Sequence, residues 1–483
     1  MPVQIEQKPL YGESVAPNFG AAPVGQQLIF TISDGGTGYL TNFFNVKFLA
    51  EVHVSSTPIN LSTVDDLVAT FKTTPNNAGV GIFDFRAVLE TFVKSDNLGW
   101  TDGTDGSQYK GVSYSTIKHP VHIIDKFSRG MDSVRYFAIQ FKAEGATSAT
   151  DPVSVISGSA RDTALFTFFN GVLQRENYLT LTNDNYGYDL EAAGLYTANP
   201  PGDTTNKFLT NAPTTQYANV NDYGTFAFLN FLPETSDTVN DIKIVYYPEE
   251  NAGGSLQATD TLSNTPANGG ANVLDGSTSR IQYFGIFPGN LQNYSTNFNP
   301  STTMSYTVQA FSGATALTDS YIINVNCPIT KGFESIRLCW LNQWGAWDYY
   351  TFKMKSVRST STNRTTYTQM SGTWNDSTFK INGYKGGRKN FRVNATERIT
   401  INTDFINEAE AVWFEELINS PEVYVLNEYD STETAPYNTI TNKYVEPILL
   451  TTSNYIRKTV ANDKLIQYTF ELERNKTQQT QTA

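Results

Sequence analysis

A chain of 483 residues is too long for one average domain and long enough for several, each with its own core. Its net charge of −13 speaks against a general nucleic-acid binder, because a phosphate-tracking surface needs concentrated Lys and Arg. Aromatic residues at 13% beside charged residues at 17% suit β structure held in an assembly better than a charged helical enzyme.

The start, MPVQIEQKPLYGES, has no basic head followed by an apolar run, so no secretion signal is expected there. No segment approaches about 18 consecutive apolar residues, and no membrane-spanning helix is expected. Residues 1–25, rich in Pro, Gly and small polar residues, read as an extended arm, either frayed or laced onto a neighbouring subunit.

A first β-rich region is expected over 26–146. Phe44, Val46, Phe48, Ala50, Val52 and Val54 alternate with Asn45, Lys47, Glu51 and His53, the pattern of a long strand with one packed face. FDFRAVLETFVKSD (83–96) instead sets Phe85, Val88, Leu89 and Phe92 on one helical face, predicting a short helix near 85–94. In the Gly-rich run 99–111, Asp102 and Asp105 invite a calcium reading, but the spacing of a helix–loop–helix site is missing and a solvated turn is expected. His53, His119 and His122 are the only histidines, and no cysteine or carboxylate pattern completes a zinc set around them.

Residues 147–162 read as a polar linker opening a second region, 147–330, with the character of a β-sandwich or barrel. TALFTFFNGVLQ (163–174) predicts strand, Asn-Gly turn and strand. Further strands are expected at 225–232, 241–247, 280–287, 304–311 and 319–327, with a long polar loop at 251–279. Cys327 and Cys339 lie in or beside expected strands and are read as thiols, since two cysteines make no secreted staple framework.

The third region, 331–476, starts with GFESIRLCWLNQWGAWDYYTF (332–352), two strands around a turn at Gly345. So many aromatics beside one turn are expected in a core or at a subunit contact, and Trp340, Trp344, Trp347, Tyr349 and, farther on, Trp413 are the candidate assembly anchors. YTFKMKSVRSTSTNRTTYTQMSG (350–372) suits a long strand pair. Lys353, Lys355, Arg358 and Arg364, with KGGRK at 385–389, form the most basic part of the chain, read as solvated lysines, a face for acidic neighbours, or the wall of a channel in passive contact with DNA. A helix is expected over 403–419, capped by Thr403 or Asp404, with Phe405, Ala409, Val412, Trp413 and Leu417 as its apolar stripe and Ser420-Pro421 as its stop. Strands are expected again at 423–427, 446–452 and 464–473, with a turn at Asn462-Asp463 and a loose tail from 477 to 483.

No chemistry-bearing constellation emerges. Glu415 and Glu416 diverge on a helix, nothing brings Asp348, Asp376 and Glu415 together, and a nucleophile elbow or phosphate loop is missing. No cofactor, metal or catalytic residue is therefore expected.

Three signatures in the last third do resemble a known family. Leu341, Asn342, Gln343, Trp344, Gly345, Ala346, Trp347, Asp348, Tyr349, Tyr350, Thr351 and Phe352 are similar to the turn L-N-R-x-G-G-x-D-x-F/Y-x-F, departing from it at Gln343 and Ala346. VWFEELINSPEVYVLN (412–427) and VANDKLIQYTFELERN (460–475) are similar to its helix-to-strand and final-strand signatures, and IQYFGIFPGNLQNY (281–294) loosely resembles a preceding segment. The family that these segments resemble is a C-terminal module of tail proteins from bacteriophages of marine bacteria and Bacteroidetes, including crAss-like phages. The resemblance implies a virion component assembled in the host cytoplasm: a ring, adaptor, hub or baseplate-like homo-oligomer among other tail or neck proteins. A carbohydrate- or receptor-binding tail-fibre module is the alternative.

Overall fold

Apolar residues on every second position build many of the strands, such as Phe44–Ser55 and Asp241–Tyr247. The computed structural model describes residues 1–10, 20–56, 59, 66–96, 126–129, 132–163, 166–173, 179–181, 185–188, 207–230, 239–265, 280–325, 333–426, 445–456 and 466–475. It is mainly β, with several sheets and a few short helices, in keeping with a multidomain β-sandwich type of fold. The described residues fall into two compact units, one drawn from 1–327 and 341–348, the other from 328–340, 349–427 and 442–483.

In the first unit a five-stranded sheet runs in the order Leu179–Leu181, Asn185–Tyr188, Gln4–Leu10, Ile29–Ser33, Gly81–Asp84. A seven-stranded sheet runs Gly20–Pro23, Phe166–Phe169, Val134–Ala146, Phe44–Ser55, Leu67–Thr73, with Ser154–Val155 and Arg161–Asp162 also on Val134–Ala146. Their inner faces share one core: Phe30 of the first sheet lies 5.8 Å from Phe141 and 6.2 Å from Phe166 of the second. Such tilted and edge-on ring pairs suit the aromatic quadrupole and add to area burial.

Several expectations change here. The described parts of the N-terminal arm are strands of their own chain: Gln4–Leu10 pairs with Ile29–Ser33, and Gly20–Pro23 runs parallel to Phe166–Phe169. Asn45 takes φ +53 and the register slips between Phe44 and Lys47, so the inward alternation starts at Val46 and Phe44 is 51% exposed. His53, on the expected polar face, is buried. The helix in 83–96 is short, Arg86–Leu89 plus one 3-10 turn, with Leu89 and Phe85 buried. Asn170-Gly171 is not a hairpin turn. After Phe166–Phe169 the chain bonds to Gly25, whose N–H donates to Gly171 O, and Asn170 N–H donates to Ser133 O at 2.8 Å. The expected linker at 147–162 supplies strands to the sheet of Val134–Ala146, so no boundary falls between residues 146 and 147. Asp102, Asp105, His119, His122, Cys327, the Asn462-Asp463 turn and the tail from 477 lie outside the described residues.

A second core of the same unit joins a six-stranded sheet (Thr215–Ala218, Tyr321–Val325, Ser305–Ser312, Asp241–Tyr247 and Ala258–Ser263, plus Thr315–Ala316) to the three strands Thr225–Asn230, Arg280–Gly285 and Phe127–Arg129. Phe226 and Tyr321, 5.2 Å apart, connect them. Ala258–Ser263 falls inside the stretch expected as loop, and the strand from 280 ends at Gly285 because Pro288 opens a helix, Pro288–Tyr294. Asp96 is buried here, accepting from Asp132 N–H at 3.0 Å, Ser133 N–H at 3.1 Å, the Ser133 hydroxyl and Tyr283 Oη at 3.2 Å. Burial pushes its carboxyl up to about 6 against the pull of those donors.

The second unit is organised on a seven-stranded sheet in the order Trp347–Phe352, Ile336–Leu341, Val423–Leu426, Val445–Leu450, Thr469–Arg474, Gly387–Asn402, Val357–Gln369. Helix Glu408–Asn419 covers its core. The cap is Asn407, not Thr403 or Asp404: its Oδ1 accepts from Glu410 N–H while Glu410 Oε2 accepts from Asn407 N–H, each at 2.8 Å. The later start leaves Phe405 outside the helix, and the buried face takes in Phe414 in place of Val412. Ala411, Trp413, Phe414 and Leu417 are buried, whereas Phe405 and Val412 are 57% and 47% exposed.

Candidate assembly surface

The five expected anchors are all buried within the chain itself. Trp344 and Trp347 sit in the turn Leu341–Asp348, part of the first unit. Asn342 organises that turn. Its Oδ1 accepts from Trp344 N–H at 3.0 Å and Ala346 N–H at 3.1 Å, and its Nδ2 donates to Leu209 O at 2.7 Å and Asp348 Oδ1 at 3.1 Å. Asp348 Oδ1 also accepts from Thr210 Oγ1 at 2.6 Å. Gly345 takes φ +77, and a Cβ placed on it would stand 2.0 Å from Asn170 O. Val172 N–H donates to Gln343 O at 2.7 Å, and Lys207 Nζ lies 5.1 Å from the Trp344 ring centre. Asn342, Gly345 and Asp348 are thus the hydrogen-bonding and backbone determinants of the turn. Gln343 contributes its carbonyl and Ala346 its N–H, groups any residue supplies, and Ala346 is not at positive φ.

Trp340, Tyr349 and Trp413 lie in the second unit. Trp340 and Trp413 have ring centres 5.1 Å apart, and Tyr350 meets Phe414 at 4.8 Å. The strand Ile336–Leu341 is buried on both faces, not half-buried as its alternation suggests. Arg337, on the second face, donates to Thr351 Oγ1 at 2.8 Å and faces the Tyr349 ring at 5.3 Å. Lys353 is buried too, rather than solvated.

Exposed apolar surface gathers elsewhere. Strands Val357–Gln369 and Gly387–Asn402 pair along thirteen residues of the first strand, and beyond the Asn363–Asn394 pair no residue is buried. At about 3.4 Å per residue this ribbon is roughly 40 Å long. Its tip, residues 370–386, carries Trp374 at 78%, Phe379 at 63%, Ile381 at 79% and Tyr384 at 75% exposure. Trp374 is the one exposed tryptophan among the described residues. It stands in the polar run SGTWNDST, without alternation, so period alone does not mark it; the signal available was a tryptophan between a Thr-rich strand and a basic one.

A two-stranded ribbon without a third strand is marginal in water, so local devices hold this one. Thr373 N–H donates to Lys380 O at 3.1 Å, Thr373 Oγ1 accepts from Lys380 N–H at 3.1 Å, and the Phe379 ring packs where a Cβ on Gly372 would be. At the base, Arg358 bridges Glu334 (2.6 Å) and Glu397 (3.0 Å), and Arg474 bridges Glu397 (3.2 Å) and Glu446 (2.7 Å). Burial acts to raise the Glu397 carboxyl, yet the two guanidiniums hold it below its usual range. These are partly exposed pairs, and each contributes little on its own. Between 361 and 394 the ribbon carries Arg364, Lys380, Lys385, Arg388, Lys389 and Arg392 against Asp376 alone.

No family model matches the chain, and no curated protein matches it. Among solved structures it is similar to a chain described as "Biofilm associated protein - BSP domain", at 11% identity and a TM-score of 0.14, covering 83% of this chain and 63% of that one. The matched part of this chain thus spans less than two thirds of that chain's length, and a likeness at this score carries no argument.

Proposed function

We propose that this chain is a structural component of a bacteriophage tail, a ring, adaptor, hub or baseplate-like protein, working through multivalent protein–protein contacts. Its work in this reading is geometric, with no bond made or broken, and its place is the virion, assembled in the host cytoplasm. The observation that carries the reading is the exposed ribbon with its aromatic tip, on a chain whose other described tryptophans are buried. Permanent assemblies bury large aromatic-rich surfaces of this kind. The resemblance of the turn, helix and final strand to tail modules supports the same reading.

Negative-stain microscopy of the purified protein, together with mass spectrometry of particles that carry it, tests this. A closed oligomer and stoichiometric presence in the tail are expected. A monomer absent from particles refutes the reading. The exposed Trp374 and Tyr384 also suit stacking against sugar rings, which favours a glycan- or receptor-binding module as the second reading. Binding of the isolated protein to host cells, lost on Trp374→Ala, would choose that one.

A further inference from the structure

We propose that the ribbon tip docks onto the acidic body of a second copy of this chain, so that each copy both gives a tip and receives one. This rests on the assembly reading above and names its contact. Trp374, Phe379, Ile381 and Tyr384 are each more than half exposed, and the chain's own fold leaves them uncovered. Four large apolar side chains exposed within one ribbon tip are a concentration that folding alone gives no reason to place in water.

Charge selects the occupant. Residues 361–394 carry six Lys and Arg against one Asp, a net charge of +5, while the chain totals −13, which leaves −18 on the rest. Tip against tip would set +5 facing +5, so a two-fold pairing of ribbons is disfavoured, whereas tip against body is complementary. None of the six cations is in an ion pair among the described residues; Arg388 and Lys389 donate only to the neutral Thr366 Oγ1 and Tyr384 O, and Lys385 lies over the Tyr384 ring, so no carboxylate of their own chain neutralises them. A nucleic acid fits less well. The acidic body repels phosphates, and Phe379 and Ile381 offer them nothing. Unlike surfaces meeting in this way are heterologous, and heterologous contacts close into rings or run on as filaments.

The test compares the full chain with Trp374→Asp/Ile381→Asp and with Lys380→Glu/Lys385→Glu by sedimentation velocity over a range of concentrations and ionic strengths. All four positions are exposed, so circular dichroism and thermal unfolding should match the parent. Self-association of the parent is expected to weaken with salt, and each variant to associate about tenfold more weakly or worse. A variant chain still receives a tip, so adding it to the parent should shorten the parent's oligomers. Three results overturn the proposal: variants that assemble like the parent, variants excluded from the parent's oligomers (tip-to-tip pairing), or a parent that stays monomeric, whether or not its tip binds labelled duplex DNA. Assembly that ignores the tip sinks this contact and leaves the structural reading standing; absence of the chain from particles sinks that reading instead.

Discussion

The Gly345→Ala substitution separates two effects that usually arrive together. Gly345 and Gly36 both belong to the first unit and have φ of +77 and +73, but a Cβ on Gly345 stands 2.0 Å from Asn170 O, whereas one on Gly36 has nothing within 4 Å. The positive φ alone costs an alanine about 1 kcal/mol. At Gly345 the Asn170 carbonyl must also move, and that backbone is held by Asn170 N–H to Ser133 O at 2.8 Å and, two residues on, Val172 N–H to Gln343 O at 2.7 Å. Straining or losing one or two such bonds costs roughly 1–3 kcal/mol each, so Gly345→Ala is expected to lose about 4 kcal/mol against about 1 for Gly36→Ala. A chain of two units need not unfold in one step, so hydrogen exchange of the peptides covering 341–348 and 169–173 is the assay for Gly345 and global urea unfolding serves as the cross-check. Equal losses for the two alanines would refute the argument that the turn is seated against Asn170.

Three other outcomes are expected from the same structure. Asn342→Ala removes four hydrogen bonds and leaves buried N–H groups and the Leu209 carbonyl unsatisfied; about 3 kcal/mol should be lost by urea unfolding, and a loss below about 1 would show the turn to be self-supporting. Asp96 has a folded value near 6 against 3.8 in the open chain, so its ionisation disfavours the fold: stability is greatest below about pH 4 as far as this group goes, falls as pH rises through 4–6, and is about 3 kcal/mol lower above that window. Asp96→Asn should remove that slope, read as the difference between parent and variant stability across pH; an unchanged slope would mean Asp96 titrates normally. Trp374→Ala should alter stability by no more than about 0.5 kcal/mol while Trp344→Ala costs about 3–5, and calorimetry showing comparable losses would place Trp374 in a core after all.

Much of the sheet content was legible without coordinates. Alternation marks Phe48, Ala50 and Val52 as one buried face; the strands expected at 423–427 and 446–452 are found at Val423–Leu426 and Val445–Leu450, and the one expected at 464–473 starts later, as Thr469–Arg474. The turn at Leu341–Asp348 was legible as well, because Asn342, Gly345 and Asp348 are local requirements of its backbone. What local pattern leaves open is where a segment finds its partners. Asn170-Gly171 has the composition of a hairpin turn, yet its backbone bonds to Ser133 and Gly25, far away in sequence. The arm at Gln4–Leu10 has no strong period and becomes a strand because Ile29–Ser33 and Asn185–Tyr188 offer it hydrogen bonds on both edges. Burial is likewise a tertiary property: the same residue type, Trp, is in the core at 340, 344, 347 and 413 and in water at 374. Composition and period thus set the kind of secondary structure and the charge imbalance. Only folding, by filling the cores with one set of aromatics and leaving another on a free ribbon, decided which of them face outward.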